Sequence, residues 1–223
     1  MLQSAGNDII DLGTINRKRS SGINFYAKIL SDSEQVLYQK PECKLLPFEQ
    51  YLWLAWSVKE SVFKYLKRCL PDAVFSPLKI IIRDLAIPID HQSSSFTEKQ
   101  WEGIAGDEHC YEGSVIFENF ILYFKSKIYS ELIATIVSED AFFKDVFWGI
   151  KTIVKGDTDY QSKSVRFFLL NKLKRIYPDK DLHIEKNKSG YPFVTDGIQE
   201  LKIPISFSHQ ERYIAYSFLL YPK

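Results

Sequence analysis

The sequence predicts an α+β chain built from two halves of similar design, each with a small antiparallel sheet and one long helix. Three observations point there. Two segments of helical spacing, 48–70 and 157–177, each run into a proline, Pro71 and Pro178. A short strand-like run precedes each, and apolar runs that read as hairpins follow. The order strand, helix, strand, hairpin therefore occurs twice. Two readings stay open at this level, a duplicated fold and a chance likeness between β-rich runs.

The first run, Asn7 to Leu12, closes at Gly13 and places Asp8, Ile10 and Leu12 on one strand face. Basic, polar residues 16–21 follow, then mixed sequence to Pro47. The helix 48–70 has Trp53, Trp56 and Phe63 along one side. A strand is expected over 78–85, a loop-like excursion over 90–112, and strands over 114–125 and 129–137 joined as a hairpin. In the second half, 147–154 reads as a strand. The helix 157–177 gathers Val165, Phe168, Leu169 and Leu173 on one side. A strand over 182–185 and a turn over 187–190 come next. A closing hairpin, 203–209 with 212–220, turns at Gln210-Glu211. The closing strands share an echo, Leu132-Ile133-Ala134-Thr135 against Tyr213-Ile214-Ala215-Tyr216.

Composition sets the outer limits. The chain has 223 residues, 45% hydrophobic and 15% aromatic, enough for one large domain or two fused halves and too much for a disordered chain. With 29 basic against 28 acidic residues, the net charge of +1 makes no electrostatic case for a nucleic-acid partner. The longest unbroken apolar run, Tyr51 to Trp56, is six residues, far short of a membrane span. The first residues lack the basic start and apolar stretch of a secretion signal. Cys43, Cys69 and Cys110 are odd in number and form no CxxC pair, so neither a disulfide framework nor a zinc knuckle is expected. A cytoplasmic protein with no membrane partner follows as the expectation.

Three residues stand out against their surroundings. Glu60 lies on the stripe Trp53, Trp56, Glu60, Phe63, Lys67, where a carboxylate is drawn out of bulk water and needs a cation or a partner. Lys64, four residues on, stands in the favourable order for a helix ion pair, and Lys59 sits on the adjoining stripe. The plain reading is a surface Glu-Lys pair with a snorkelling lysine. Asp8 shares parity with Ile10 and Leu12 and should face partly inward. It either bonds local amides or meets a base or metal. Two carboxylates from separate elements would suit Mg²⁺. His209 ends a strand beside a tight turn, where an exposed histidine is the ordinary outcome. The chain lacks GxxxxGK[ST], GxGxxG, HExxH and GxSxG, so the common nucleotide-binding and hydrolase classes are not indicated.

Together these places resemble one family. Gly6-Asn7-Asp8-Ile9 resembles the opening Gly-x-Asp-Ile of 4′-phosphopantetheinyl transferases. Trp56-Ser57-Val58-Lys59-Glu60-Ser61-Val62-Phe63-Lys64 resembles their Trp-Ser-x-Lys-Glu-Ser-x-x-Lys helix, and Ile205-Ser206-Phe207-Ser208-His209 their Ile-Ser-x-Ser-His motif. The motif order is that of the small holo-acyl-carrier-protein synthases, while the chain is longer, as in the two-lobed type. The resemblance thus implies a pseudo-twofold transferase fold with its lobes in swapped order. Residues 1–140 would carry the Asp and Lys-Glu motifs and residues 141–223 the Ser-His motif, in a chain active as a monomer.

The implied activity is transfer of 4′-phosphopantetheine from coenzyme A to a serine of an apo carrier protein, releasing 3′,5′-ADP. By resemblance, Asp8 and Glu60 hold Mg²⁺. Glu60 and Lys64 are catalytic, with Glu60 accepting the serine proton. Lys59, Arg166, Lys188, Ser208 and His209 bind coenzyme A. Two departures stand against this pattern. Ile10 occupies a position where the two-lobed type has an acid, and Tyr191 replaces the lysine of the family's Gly-Lys-Pro segment, with Lys188 as the substitute. The alternative is a non-catalytic coenzyme A- or carrier-binding protein that kept the fold.

Overall fold

The structure, a computed structural model, describes residues 4–89, 95–107, 109–188 and 190–220. It is a mixed α+β chain with antiparallel sheets. The chain opens with β1 (Gly6–Asp11), then α1 (Arg17–Ser20), α2 (Ile23–Tyr26), α3 (Asp32–Tyr38) and the long α4 (Phe48–Cys69). Next come β2 (Ile80–Ile82), β3 (Gln100–Ile104), β4 (Tyr111–Phe117), β5 (Phe120–Ile128) and β6 (Leu132–Ser138). The remainder is β7 (Val146–Thr152), α5 (Thr158–Ile176), β8 (His183–Lys186), β9 (Pro192–Thr195), β10 (Ile205–Gln210) and β11 (Tyr213–Leu219).

A five-stranded sheet has the order β1-β6-β5-β4-β2, and a four-stranded sheet the order β10-β11-β7-β3. Alternation along β1 explains how they stack. Ile10 joins the core between the first sheet and α4, beside Leu52, Ala55 and Val62. Ile9, one residue away and so on the opposite face, joins a second core between the two sheets, with Ala134, Trp148, Ile150 and Ala215. A third core places Val165, Phe168, Leu169 and Leu173 of α5 on Ile214, Tyr216 and Phe218 of β11. The layers therefore run helix, sheet, sheet, helix.

The two sheets repeat one pairing order. In each, the strand before the long helix pairs with the last strand, which pairs in turn with the strand before it: β1-β6-β5 and β7-β11-β10. The aliphatic echo sits on β6 and β11. Ala134 faces Ile9 of β1 as Ala215 faces Ile150 of β7.

Several expected elements shift. The expected strand 114–125 is cut by a turn at Glu118-Asn119, where Glu118 takes a left-handed φ of 52°. The turn hides in an unbroken apolar pattern because its polar pair is only two residues long. The expected strand 78–85 shortens to β2 behind a 3₁₀ turn. The excursion 90–112 contains β3 and the start of β4, and its residues 90–94 and 108 lie outside the described ones. β3 pairs with β7 and thus belongs to the second sheet although it precedes residue 140. The strand expected at 182–185 forms as β8 and pairs with β9, which the pattern did not suggest. The last hairpin turns at Glu211-Arg212, since Gln210 still pairs with Tyr213. Within the mixed stretch before Pro47, α3 starts at a capping box, Ser31 with Glu34. That Ser-x-x-Glu signature was present in the sequence.

Glu34 does more than cap. Fully buried, it accepts from Ser31 N (2.8 Å) and Ile82 N (2.9 Å) and receives the Lys59 ammonium at 2.7 Å. Lys59 Nζ also donates to Ile29 O at 2.5 Å. One ion pair thus joins α3, α4 and β2. Removing a single partner of such a pair leaves a bare buried charge, at a cost of about 3–5 kcal/mol. Lys59→Met should lower the stability by that amount in urea denaturation, and adding Glu34→Gln should recover part of it. A loss under about 1 kcal/mol would show that the pair is not structural.

Candidate functional site

The site begins where β1 crosses α4. A Cβ on Gly6 would stand 2.1 Å from Ser61 O and 2.9 Å from Tyr65 N, so only glycine lets the strand backbone lie this close to the helix. Asp8, two residues on and on the same strand face, then meets the next exposed turn of α4. Its Oδ1 accepts from Lys64 Nζ at 2.8 Å. Its Oδ2 is buried and has no hydrogen-bond partner among the described residues. Glu60, one turn before Lys64, is half-buried beside the packed rings of Trp56, Phe75 and Phe63. Burial raises its pKa above the ordinary carboxylate value. The Asp8 charge adds to that rise, and Lys64 opposes it.

The other face of β1 meets the second sheet edge to edge. Asn7 N donates to Ser206 Oγ at 3.2 Å and Asp11 N to Gln210 Oε1 at 3.0 Å, while Asn7 Nδ2 donates to Ser208 Oγ at 2.8 Å. Edge-strand amides that would otherwise lack acceptors are thereby satisfied by side chains of β10. The same contact sets His209 of β10 near Lys64 of α4.

Between α4, α5, β8, β9 and β10 lies a cavity of about 280 Å³. Its lining includes Lys64, Lys67, Arg68, Arg166, Lys186 and His209 and, among the described residues, no carboxylate. Burial lowers the His209 pKa, and Lys64, Arg166 and Lys186 push it further down. A neutral imidazole among cations is the mark of a pocket made for an anion. The Arg166 guanidinium donates through Nη1 to the carbonyl and hydroxyl of Ser162, one turn earlier on α5. Arg68 donates to Pro192 O at 2.6 Å and Ile205 O at 3.3 Å, which ties the end of α4 to the second sheet.

Five of the expected site residues come together here: Asp8, Glu60, Lys64, Arg166 and His209. Three do not. Lys59 does not reach the cavity, because its ammonium is sealed in the core against Glu34. Ser208 faces β1 rather than the cavity and is occupied by Asn7. Lys188 is exposed in its turn and absent from the lining, where Lys186 stands instead. Lys67 and Arg68 were legible in principle, being three and four residues after Lys64 and so on the same helix side. Lys186 had no comparable sequence signal, since its placement depends on the β8–β9 pairing.

A hard cation suits the acid pair. Asp8 keeps an unsatisfied buried oxygen, and Glu60 is held in partial desolvation by its neighbours. The set is small: among the described residues, no three His, Cys, Asp or Glu side chains form a metal cluster. Ile10 is part of the α4 core, and Asp11 spends Oδ1 on Gly13 N at 2.9 Å. A metal here would take its remaining ligands from water and from a bound anion.

The His209 environment gives a signed expectation. Its folded pKa lies below the ordinary histidine value of 6.5, so the unfolded chain binds a proton that the folded site refuses. His209 therefore costs stability as pH falls below about 6.5. In an NMR titration its imidazole should show a midpoint below 6.5, rising when inorganic pyrophosphate fills the cavity. A midpoint at or above 6.5 in the free protein would contradict the cationic cluster.

Among the described residues no helix is long and apolar enough to cross a membrane. No curated protein matches the chain. A family model, the 4′-phosphopantetheinyl transferase superfamily, matches residues 4–122, just over half of the chain. That span contains Gly6, Asp8, Glu60 and Lys64, the residues by which β1 and α4 build the acidic half of the site. The chain belongs to the 4′-phosphopantetheinyl transferase superfamily.

Proposed function

We propose that this protein moves the 4′-phosphopantetheine arm of coenzyme A onto a serine of an apo carrier protein and releases 3′,5′-ADP, a holo-[acyl-carrier-protein] synthase activity. The observation that supports it best is adjacency. A carboxylate pair, Asp8 and Glu60, borders a cavity whose charged lining, among the described residues, is cationic, and Lys64 belongs to both. Such a division suits a reaction that needs an anion held still while charge moves along its pyrophosphate.

In this reading Asp8 and Glu60 are the residues that would hold Mg²⁺. When bound, the ion neutralises charge on the pyrophosphate oxygens. Glu60, directly or through a water, accepts the serine proton as the serine oxygen attacks the pantetheine-side phosphorus. The bond from that phosphorus to the 3′,5′-ADP oxygen breaks. Lys64 leaves Asp8 to donate to a phosphate oxygen. His209, Arg166 and Lys186 hold the 3′-phosphate, with Lys186 taking the part expected of Lys188. Lys59 acts only by bracing α4.

The repeated pairing order supports two lobes, 1–140 and 141–223, related by a pseudo-twofold axis and in swapped order, with β3 crossing to the second lobe's sheet. Because α4 and β10 of one chain line the same cavity, the site needs no second copy. Static light scattering should give a monomer whose specific activity is unchanged on dilution. An obligate oligomer that loses activity on dilution would contradict the reading.

The central test is mass gain of an apo carrier protein in the presence of coenzyme A and Mg²⁺, with release of 3′,5′-ADP. Asp8→Asn and Glu60→Gln should each reduce the rate by about 100-fold or more, in line with the loss of one charge-stabilising group, while urea midpoints stay near wild type. Wild type that binds coenzyme A but modifies no carrier in a broad panel would favour the non-catalytic alternative. The two-carboxylate acid set left by the buried Ile10 speaks for that alternative.

A further inference from the structure

Lys64 stands at the border between the acids and the cavity, and in the empty site it serves the acids. Its Nζ donates to Asp8 Oδ1 at 2.8 Å, its one ion pair among the described residues. The two partners differ in exposure: the Asp8 side chain is 10% exposed and the Lys64 side chain 30%. Asp8 Oδ2 is buried with no hydrogen-bond partner, so Lys64 is the only donor that the described residues give this carboxylate. Lys64 also lines the cavity, among Lys67, Arg68, Arg166 and Lys186. Either ligand of the site therefore meets a cost when it binds alone. An anion that draws Lys64 into the cavity leaves Asp8 a buried carboxylate without a donor. A divalent cation on Asp8 turns the Lys64 ammonium out among like charges with no counter-charge. With both ligands present neither cost arises, because Asp8 has the metal and Lys64 has the anion.

We infer that Lys64 is an exchangeable counter-ion: it neutralises Asp8 while the site is empty and passes its bond to the anion when a divalent cation takes its place, so that each ligand strengthens the other. The inference rests on the transfer reading above for the identity of the two ligands. It goes further in making their joint occupation the property of one side chain. Coupling of this kind is reciprocal, the cation tightening the anion by the same factor as the anion tightens the cation. Its consequence is that the site loads as a unit. Half-loaded states, with coenzyme A held and no cation to neutralise its pyrophosphate, are disfavoured by the Lys64–Asp8 bond that must break to form them.

The test titrates the full-length chain with Mn²⁺, followed by the electron paramagnetic resonance of the free ion, with and without 3′,5′-ADP. The two phosphates of that probe sit apart on the ribose and do not clasp one ion as a pyrophosphate does, and a protein-free titration sets any direct chelation. In the wild type, 3′,5′-ADP should tighten Mn²⁺ by about 5- to 50-fold, and calorimetry should show the same factor for 3′,5′-ADP on adding Mn²⁺. Lys64→Met removes the competitor for Asp8. Without 3′,5′-ADP it should bind Mn²⁺ about 3- to 10-fold more tightly than the wild type, the range of one partly exposed ion pair. Its enhancement by 3′,5′-ADP should fall by at least about threefold, and if it does not fold, Lys64→Gln carries the same expectations. Lys64→Arg keeps the charge and should stay within about 3-fold of the wild type in both values. A Lys64→Met chain that binds Mn²⁺ no more tightly than the wild type, or keeps the full enhancement, would overturn the exchange, while carrier modification by the wild type leaves the transfer reading intact. Wild type that binds neither probe and modifies no carrier would overturn both.

Discussion

Two sheet edges meet in this protein without forming a backbone ladder, and the site depends on how they are joined. β1 is the edge of the first sheet and β10 the edge of the second. Side chains make the joint: Ser206 and Gln210 accept the amides of Asn7 and Asp11, and Ser208 accepts from the Asn7 amide group. A continuous ladder would have merged the sheets and fixed one twist across both. The side-chain joint satisfies the buried edge donors yet leaves each sheet its own helix. It also holds β1 so that one face turns to α4 and the other to β10, which lets a six-residue strand serve two cores and the site.

The charges follow from that placement. Gly6 brings β1 onto α4, Asp8 meets Lys64, and burial by the aromatic stripe holds Glu60 above its ordinary pKa. Across the joint, β10 and α5 present His209 and Arg166, and α4 adds Lys67 and Arg68. The near-neutral chain thus conceals a sharp local separation. The acids lie at the β1–α4 crossing and the cations fill the cavity beside it, with Lys64 between them. A cluster of like charges is costly without a counter-charge; at His209, burial lowers the pKa first and Lys64, Arg166 and Lys186 push it further down.

Of the acidic half, much was legible. The carboxylate on an aromatic helix stripe and the aspartate on an apolar strand face were out of keeping with their neighbours, and both lie in the site. Helix 158–176 carries its apolar side as its spacing foretold, with Val165, Phe168, Leu169 and Leu173 buried. Lys59 was misplaced because adjacency in a motif does not imply a shared helix face. One position, a turn of 100°, separates Lys59 in the core from Glu60 beside Asp8. Glu34, its partner 25 residues away, left only the local sign of a helix cap.

By itself the sequence determined what periodicity and local chemistry can express. The two long helices, most strands, the class of fold and the odd placement of Asp8, Glu60 and Lys64 all belong there. Long-range partners belong to the tertiary structure alone. The bond from Asn7 to Ser208 spans 201 residues, β3 crosses to β7, and Arg68 reaches Pro192 across 124 residues. No period in a chain encodes such separations, because each depends on how two finished elements pack. That is why Lys186 rather than Lys188 lines the cavity.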